Sequence, residues 1–319
     1  MKEIRCAVIG VGYIGKYHAE KYAKLPDVDL VAVIDNDLNR AKEVAKKLGC
    51  ATFDSYHQLL GKVDAVSIAT PTTFHFEVAK FCLENNIHVL VEKPITTTTH
   101  EADVLIQLAG THNLILQVGH LERFNSSVLA LSNILNDGPK FFEFYRIAPF
   151  SKRSTDINVI LDLMIHDIDL IKYLAEAYIA SVVANGAPIL SKSIDIANAR
   201  VTFTNGTVAN ITASRAGTKE ERSVRIFQRD TYISADLKDG VCAVFRKVGV
   251  NEHDGMPKIE REKLKFPKGD AIKAEIIAFL DAIRHHKPSP VSGESGRAAL
   301  EISEYITKTI REGYDYFND

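Results

Sequence analysis

The first part of the chain alternates short apolar runs with segments of helical periodicity. Continuous apolar runs are typical of strands buried on both faces of a parallel sheet. Five such runs occur: IRCAVIG, DLVAVID, VDAVSIAT, IHVLVEKP and NLILQVG. Helical patterns lie between them, as in DLNRAKEVAKKLG and TFHFEVAKFCLENN. Because strands alternate with helices, residues 1–118 are predicted to form a doubly wound parallel sheet of the Rossmann type.

The pattern changes in the second part of the chain, which we predict to be one domain over residues 119–319. The segment NARVTFTNGTVANITASRA alternates apolar and polar residues on both sides of Asn205-Gly206, which predicts a type I′ hairpin. The alternation continues with turns near Arg229-Asp230 and Asp239-Gly240. Two helical segments follow. The pattern therefore predicts an α+β domain with an antiparallel sheet.

Composition narrows the class of protein. The chain has 319 residues, 46% of them hydrophobic, and a formal net charge of −2, so no overall field favours nucleic acid or an anionic membrane. No apolar run is long enough for a membrane helix, and no signal peptide is visible. The four cysteines are scattered and predict neither a zinc site nor disulfides. We expect a cytoplasmic protein.

A glycine motif stands between the first predicted strand and the first predicted helix. It reads Gly10-Val-Gly12-Tyr13-Ile14-Gly15, a G-x-G-x-x-G. Gly10 permits a tight turn, Gly12 allows a pyrophosphate to approach the backbone, and Gly15 lets the helix pack closely on the strand. The N–H groups of the helix N-terminus then face the phosphates. This context predicts a dinucleotide site.

An acidic residue at the end of the second predicted strand bears on the choice of dinucleotide. Asp35 follows Gly15 by 20 positions and can accept hydrogen bonds from a ribose 2′-hydroxyl, whereas it would repel a 2′-phosphate. NAD is therefore predicted in preference to NADP. Asn36 is a further candidate contact, and Arg40 lies near enough in sequence to offset part of this preference.

Two further strand ends carry polar side chains. Thr70, Pro71 and His75 follow the third long apolar run, and Glu92 and Lys93 end the fourth in an E-K-P motif. Ligands of open parallel sheets bind at the carboxyl ends of the strands. We therefore expect all five residues to contact the cofactor.

The segment LDLMIHDIDL places polar side chains on an apolar helix. At about 100° per residue, Asp162, His166 and Asp169 share one stripe. The stripe is either the solvated edge of an amphipathic helix or part of an active site. A metal-dependent enzyme using these three residues is a further alternative, but the dinucleotide motif makes a metal unnecessary, and none is predicted. Asp167 and Asp169 are expected to make structural hydrogen bonds.

Together these motifs resemble the Gfo/Idh/MocA oxidoreductases, and the resemblance runs along essentially the whole chain through GVGYIG, ATPTTFH, EKP, VGHLERF and DLMIHDID. It implies a Rossmann domain followed by a domain with a large open, mainly antiparallel sheet, through which homodimers or homotetramers often form. It also implies that Lys93, Asp162 and His166 are catalytic. Either Lys93 or His166 can be the base that takes the hydroxyl proton.

Several cationic side chains suggest an anionic substrate, since arginine matches the geometry of a phosphate. The candidates are His120, Arg123, Arg146 and Arg153, although they could also form a solvated basic loop. GHLERFN followed by DLMIHDID resembles the nucleotide-sugar branch of the family. That implies NAD-dependent oxidation of a sugar hydroxyl to a ketone, at the 3-hydroxyl of a UDP-N-acetylglucosamine-type sugar. A dehydrogenase of a free sugar, polyol or inositol, and a non-catalytic NAD-binding regulator, are the alternatives.

Overall fold

The structure is a computed structural model that describes residues 3–136, 138, 140–151, 157–266 and 269–313. The chain divides into two compact units. The first unit comprises residues 1–124 and 270–300, and the second unit comprises residues 125–269 and 301–319. Residues 270–300, which we expected in the second domain, thus belong to the first unit.

The first unit contains a six-stranded parallel sheet in the order β3-β2-β1-β4-β5-β6. Its strands are β1 (Ile4–Ile9), β2 (Val28–Ile34), β3 (Ala51–Thr52), β4 (Ala65–Ile68), β5 (His88–Glu92) and β6 (Leu116–Gly119). The order reverses beside β1, as in a doubly wound sheet. The predicted fold of this part is confirmed, and β1, β4 and β6 are almost wholly buried, as continuous apolar runs require.

Helices cover this sheet, and their ends are set by local sequence. They are α1 (Gly15–Tyr22), α2 (Leu38–Leu48), α3 (His75–Glu84) and α4 (Thr99–Thr111). Asp37 caps α2 by accepting from the second and third backbone N–H groups of that helix, and Gly49 ends it with a φ of 73°. Thr98 and Glu101 form a reciprocal capping box on α4. Short 3₁₀ turns lie at Tyr56–Leu59, Thr72–Phe74 and Leu121–Phe124.

The second unit contains an eight-stranded sheet in the order β14-β13-β12-β11-β7-β10-β9-β8. Its strands are β7 (Phe141–Ile147), β8 (Ile179–Ala187), β9 (Ile196–Phe203), β10 (Val208–Ser214), β11 (Glu221–Gln228), β12 (Thr231–Asp236), β13 (Val241–Val250) and β14 (Pro257–Lys265). Only β7 and β10 pair in parallel among these strands. The predicted open, mainly antiparallel sheet is therefore confirmed.

The turn between β9 and β10 differs from the predicted type I′ turn. The N–H of Phe203 donates to the carbonyl of Thr207 at 2.8 Å, which leaves a three-residue loop at 204–206. Within this loop only Gly206 has a positive φ, of 84°, whereas a type I′ turn needs two such residues. The type I′ prediction is thus wrong. The Asn205 side chain donates to the Ala175 carbonyl and accepts from the Thr207 N–H, which favours the longer loop.

The second unit also contains two helices, one before β7 and one between β7 and β8. They are α5 (Ser126–Ser132) and α6 (Ile165–Ala175), and a single π-helical turn, Ile160–Met164, leads into α6. Helix α6 packs on β7 and β10. The apolar residues of LDLMIHDIDL that point to the sheet, such as Ile165 and Ile168, are fully buried.

Two long helices close the chain, α7 (Ala271–His285) and α8 (Gly293–Glu312). The side chains of Ile276, Phe279 and Leu280 on α7 are buried in the same core as those of Val8 and Tyr22. An amphipathic helix is held by whichever core takes up its apolar face. This packing explains why residues 270–300 belong to the first unit. None of the described helices is long and apolar enough to cross a membrane.

Candidate active site

The glycine loop of the first unit has no room for side chains at two of its positions. Gly10 has a φ of 86°, and a Cβ there would lie 2.6 Å from the Ala69 carbonyl oxygen. A Cβ on Gly15 would lie 1.8 Å from the carbonyl oxygen of Gly10. Neither position has room for a side chain, which agrees with the tight turn and close helix packing expected from the motif.

Gly12 differs from the other two glycines of the motif. No atom lies within 4 Å of the position that its Cβ would take. The protein itself thus places no steric demand on this residue, and an incoming group can approach its backbone. Tyr13 is exposed next to it, and Ile14 precedes the first turn of α1. The open backbone at Gly12 fits the pyrophosphate of a dinucleotide.

A cavity of about 500 Å³ lies at the carboxyl ends of the strands of the first unit. Seven of the residues predicted to bind the cofactor line it: Gly10, Gly12, Asp35, Asn36, Arg40, Thr70 and Pro71. Tyr56 and Phe74 also line the cavity and were not predicted. Phe74 lies within the ATPTTFH motif, so its position beside Thr70 could have indicated it. Tyr56 belongs to no motif, and its role depends on the fold.

Asp35 lies at the end of β2 and is buried, with its carboxylate facing the glycine loop. Its Oδ2 accepts from the Val11 N–H at 2.8 Å, and its Oδ1 accepts from the Asp37 N–H at 2.9 Å. Arg40 Nη1 is 3.4 Å from both oxygens. A carboxylate has about four acceptor sites; the two backbone N–H groups take two of them, and the long contacts to Arg40 occupy the sites that ribose hydroxyls would take up. The half-exposed Arg40 guanidinium neutralises part of the charge that would repel a 2′-phosphate.

His75 holds two loops together. Its ring is 1% exposed, with Nδ1 2.8 Å from the Pro94 carbonyl oxygen and Nε2 2.9 Å from that of Thr70. Burial lowers the pKa of His75, although both carbonyl contacts act in the opposite direction. A ring with so little accessible surface has little left for a cofactor. His75 ties the end of β4 to the E-K-P loop, and a direct contact with the cofactor stays a prediction.

The E-K-P motif follows β5. Lys93 is half-buried and is joined to Pro94 by a cis peptide bond. The Glu92 carboxylate turns into the interior of the unit, where its Oε1 lies 3.3 Å from His18 Nε2. Burial acts to raise the pKa of Glu92, but His18 and the Lys93 charge outweigh it and lower that pKa. Glu92 is therefore an anion whose contacts are inside the protein, while Lys93 follows it at the end of the strand.

In the second unit, Asp162 lies in the π-helical turn and His166 in the first turn of α6, and both side chains are half-buried. Single π-turns are frequent at functional sites because they shift side chains relative to a regular helix. Asp167 and Asp169 are buried. The segment is therefore not the wet acidic edge of a helix, and its two accessible polar residues are the pair expected to be catalytic.

Arg146 has a structural partner in place of the expected substrate anion. Its guanidinium is 4% exposed, with Nη2 2.7 Å and Nε 3.1 Å from Oδ1 of Asp167, and Nε 3.0 Å from Oδ2. This fork fixes α6 against β7 one residue away from His166. Arg146 as a substrate-binding residue stays a prediction, and the contacts described for it are with Asp167.

The other predicted substrate residues have varied surroundings. His120 is buried at the end of β6. Arg123 is partly exposed and donates through Nη1 to the Pro290 carbonyl at 3.3 Å. Arg153 lies outside the described residues, as do Lys152 and Ser154. Of these four candidates, the structure leaves Arg123 as the described cation with accessible surface.

A doubly wound sheet with a G-x-G-x-x-G loop on β1 and a carboxylate at the end of β2 defines a dinucleotide-binding protein. The chain belongs to the Gfo/Idh/MocA oxidoreductase family. Residues 4–120 match the family model described as "Oxidoreductase family, NAD-binding Rossmann fold", and residues 136–233 match the GFO/IDH/MocA C-terminal domain. The resemblance found in the sequence is confirmed, and the protein is an NAD-binding oxidoreductase.

Among its relatives is the UDP-N-acetylglucosamine 3-dehydrogenase of Acidithiobacillus ferrooxidans, 42% identical over 310 residues, which are 97% of this chain and 98% of the relative. A solved structure of that enzyme has a TM-score of 0.92 at 40% identity and covers 98% of this chain and 99% of the other. The scyllo-inositol 2-dehydrogenase (NAD(+)) of Bacillus subtilis is 31% identical over 333 residues, covering 98% and 95% of the two chains.

Proposed function

We propose that the protein oxidises the 3-hydroxyl of UDP-N-acetylglucosamine, or of a close UDP-sugar, to a ketone with NAD as acceptor. The observation that carries this proposal is the 42% identity to a UDP-N-acetylglucosamine 3-dehydrogenase over nearly the full length of both chains. The inositol dehydrogenase reaches 31%. The GHLERFN and DLMIHDID motifs favour the same nucleotide-sugar branch.

NAD, when bound, supplies a carbon that accepts hydride from the sugar. The glycine loop takes up its pyrophosphate at Gly12, and Asp35 accepts hydrogen bonds from a ribose. These residues lie together on the described cavity of the first unit. Their role is to bind and orient the cofactor, so that the hydride acceptor is held in one geometry at the sheet edge.

Proton transfer is the task of the three predicted catalytic residues. His166 takes the hydroxyl proton, and Lys93 donates a hydrogen bond to the alkoxide that develops as hydride leaves. Asp162 orients the imidazole of His166. Support comes from the half-buried state of all three side chains within their own units and from the resemblance of E-K-P and D-x-x-x-H to motifs of the family.

A dehydrogenase of inositol or a free sugar is the second candidate, and the inositol relative favours it. A non-catalytic NAD-binding regulator is disfavoured, because Lys93, Asp162 and His166 are all present. The choice between the substrates depends on whether the protein recognises a diphosphate. Arg123 is the described cation best placed by its exposure to do so, and Arg153 remains a candidate from sequence.

The test is an assay of nicotinamide reduction with the purified protein, NAD and a panel of UDP-sugars, free sugars and inositol. The assay includes a ketone trap, since the equilibrium favours the alcohol unless the product is removed. We expect turnover with UDP-N-acetylglucosamine and none with inositol. Turnover of inositol or glucose, with no turnover of any UDP-sugar, would refute the proposed substrate but leave the assignment as a dehydrogenase intact. Lys93→Met is the matched inactive control.

We also propose a cytoplasmic homodimer or homotetramer that assembles through the sheet of the second unit. Val183, Ile196 and Phe227 are apolar side chains exposed on strands of this sheet, and such side chains are candidates for burial between subunits. Sedimentation analysis gives the mass of the assembly. A strictly monomeric protein at micromolar concentration would refute this assignment, and Phe227→Lys should shift an oligomer toward monomer.

A further inference from the structure

A group of polar side chains lies buried in the first unit on the inner side of the E-K-P motif. A ring nitrogen of His18 on α1 and one carboxylate oxygen each of Glu92 on β5 and Glu275 on α7 lie within 4.8 Å of one another. Glu275 is 0% exposed, and neither of its side-chain oxygens has a hydrogen-bond partner among the described residues. Such a buried carboxyl calls for a proton or a cation nearby.

Hydrogen bonds on the far side of His18 decide between these possibilities. Tyr22 Oη lies 2.9 Å from Ser67 Oγ, which lies 3.1 Å from His18 Nδ1. Tyr22 is fully buried and its hydroxyl has this one partner among the described residues, so it donates to Ser67. The Ser67 hydroxyl then donates to His18 Nδ1, which must be the unprotonated nitrogen of a neutral ring.

The ring proton of His18 is therefore on Nε2, the nitrogen that lies 3.3 Å from Glu92 Oε1. With the ring proton on Nε2, His18 has no lone pair facing the two carboxyls, and a cation there would have to displace that proton and reverse the hydrogen bonds of Ser67 and Tyr22. The chain from Tyr22 through Ser67 thus argues against a cation between His18 and the two carboxyls. The unpaired Glu275 carboxyl requires a proton instead.

Charge leads to the same assignment. The titratable groups around the cluster are His18 and Tyr22 on α1, Cys6 on β1, and Glu92, with the hydrogen bond of His18 and the positive charge of Lys93 acting on Glu92. Burial and the Glu92 carboxylate raise the pKa of Glu275 well above its ordinary value. Glu92 has the Lys93 charge and the His18 ring beside it, whereas only burial and a like charge act on Glu275, so the single negative charge belongs to Glu92.

We propose that Glu275 is a positioning residue that remains an uncharged carboxylic acid at neutral pH and donates a hydrogen bond to the Glu92 carboxylate. The terminal torsion of a glutamate is broad, so the acid can turn its O–H toward Glu92. Glu92 also lies across Gly119 on β6, where a Cβ would come within 2.9 Å of its carboxyl group. Held from both sides, Glu92 fixes the end of β5 and the backbone of Lys93. The effect on catalysis rests on the proposed function, whereas the protonation state does not.

Infrared spectroscopy tests the protonation state directly. At neutral pH, the wild type should show the C=O stretch of an un-ionised carboxylic acid, and Glu275→Gln should lose it. The matched control is Glu43→Gln on α2, because Glu43 is exposed and its removal should leave the band unchanged. A wild-type spectrum without the band overturns the proposal. So does a stoichiometric metal ion that is present in the wild type and lost in Glu275→Gln.

Stability against pH gives an independent readout. A carboxyl whose pKa is raised by folding keeps a proton that the unfolded chain releases above about pH 4.3, so wild-type stability falls as the pH rises toward the folded pKa. Glu275→Gln cannot ionise. Between about pH 5 and about pH 7, the unfolding constant of the wild type should therefore rise about tenfold per pH unit relative to that of the variant. A constant ratio would contradict the assignment.

Measurements of kcat distinguish a positioning role of Glu275 from a purely structural one. Glu275→Leu lacks a donor and should lower kcat by up to about 100-fold, the scale of a misplacement of about 1 Å, with the Kd for NAD unchanged. Glu275→Gln keeps an N–H donor and should restore most of kcat. A folded Glu275→Leu protein with wild-type kcat overturns the positioning role. If the wild type oxidises no UDP-sugar, the proposed function fails, and the infrared and pH measurements still decide the state of Glu275.

Discussion

Breaking the ion pair between Arg146 and Asp167 should destabilise the second unit strongly. In Arg146→Met, the side chain keeps an unbranched apolar stem but loses its charge and its fork of hydrogen bonds. The Asp167 carboxylate then loses its guanidinium partner while its side chain remains only 2% exposed. Removing one partner of a buried pair costs about 3–5 kcal/mol, because the remaining charge is desolvated and uncompensated.

The double variant Arg146→Met with Asp167→Leu separates this penalty from the value of the pair itself. Replacing both charges with apolar side chains of similar size is often neutral, so we expect it to recover most of the loss. The matched control is Arg246→Met. Arg246 pairs with Glu262 at 2.9 Å, but their side chains are 42% and 50% exposed, and such surface pairs contribute at most about 1 kcal/mol.

Urea unfolding followed by circular dichroism measures these differences, since the chain contains no tryptophan. NAD titration provides an internal control, because the cofactor residues lie in the first unit and their affinity should not change. The kcat of Arg146→Met should fall, since Asp167 is adjacent to His166. If Arg146→Met loses no more stability than Arg246→Met, or if the double variant is as unstable as the single one, the buried-pair argument is wrong.

Three further predictions concern the cofactor and the chemistry. Gly12→Ala should fold with nearly wild-type stability but bind NAD more weakly, whereas Gly15→Ala should lose about 1–3 kcal/mol or more of stability, because its methyl group meets the Gly10 carbonyl. Thermal melts and NADH titration distinguish the two variants. Equal melting temperatures would contradict the packing argument. Fluorescence titration should show tighter binding of NADH than of NADPH, and Asp35→Ala should narrow that difference; tighter NADPH binding by the wild type would refute the role of Asp35. Lys93→Met and His166→Ala should each lower kcat by roughly 10²–10⁴-fold with little change in cofactor affinity, and near-normal turnover in both would exclude them as catalytic residues.

Much of the first unit was predictable because its signals are local. A continuous apolar run can only be buried on both faces, and strands of that kind separated by helices form a parallel sheet. The motif itself indicated that Gly10 and Gly15 must be glycine for steric reasons, and the structure shows the two carbonyl oxygens that would clash with a side chain. Asp35 was found by its distance from Gly15, since one βαβ unit brings the end of β2 beside the glycine loop.

The hairpin at Asn205-Gly206 shows where local signals become insufficient. The dipeptide marked the turn correctly, but its type depended on the Asn205 side chain, which donates to the Ala175 carbonyl at the end of α6. That contact joins residues 30 positions apart. No pattern within the turn could reveal it, so the sequence predicted the place of the turn and the tertiary structure decided its conformation.

The sequence by itself thus determined the two sheets, the glycine loop and the polar residues at the strand ends, because periodicity and backbone sterics act over a few residues. The tertiary structure decided which charged side chains were buried and with what partners. From the sequence, Arg146 was a candidate for substrate binding, and only the structure shows its contact with Asp167. Likewise, nothing in the sequence distinguished Glu275 from an exposed helical glutamate, and its burial follows from the packing of α7 in the core of the first unit. Burial and pairing depend on distant segments meeting, and the energy of a charge depends on both.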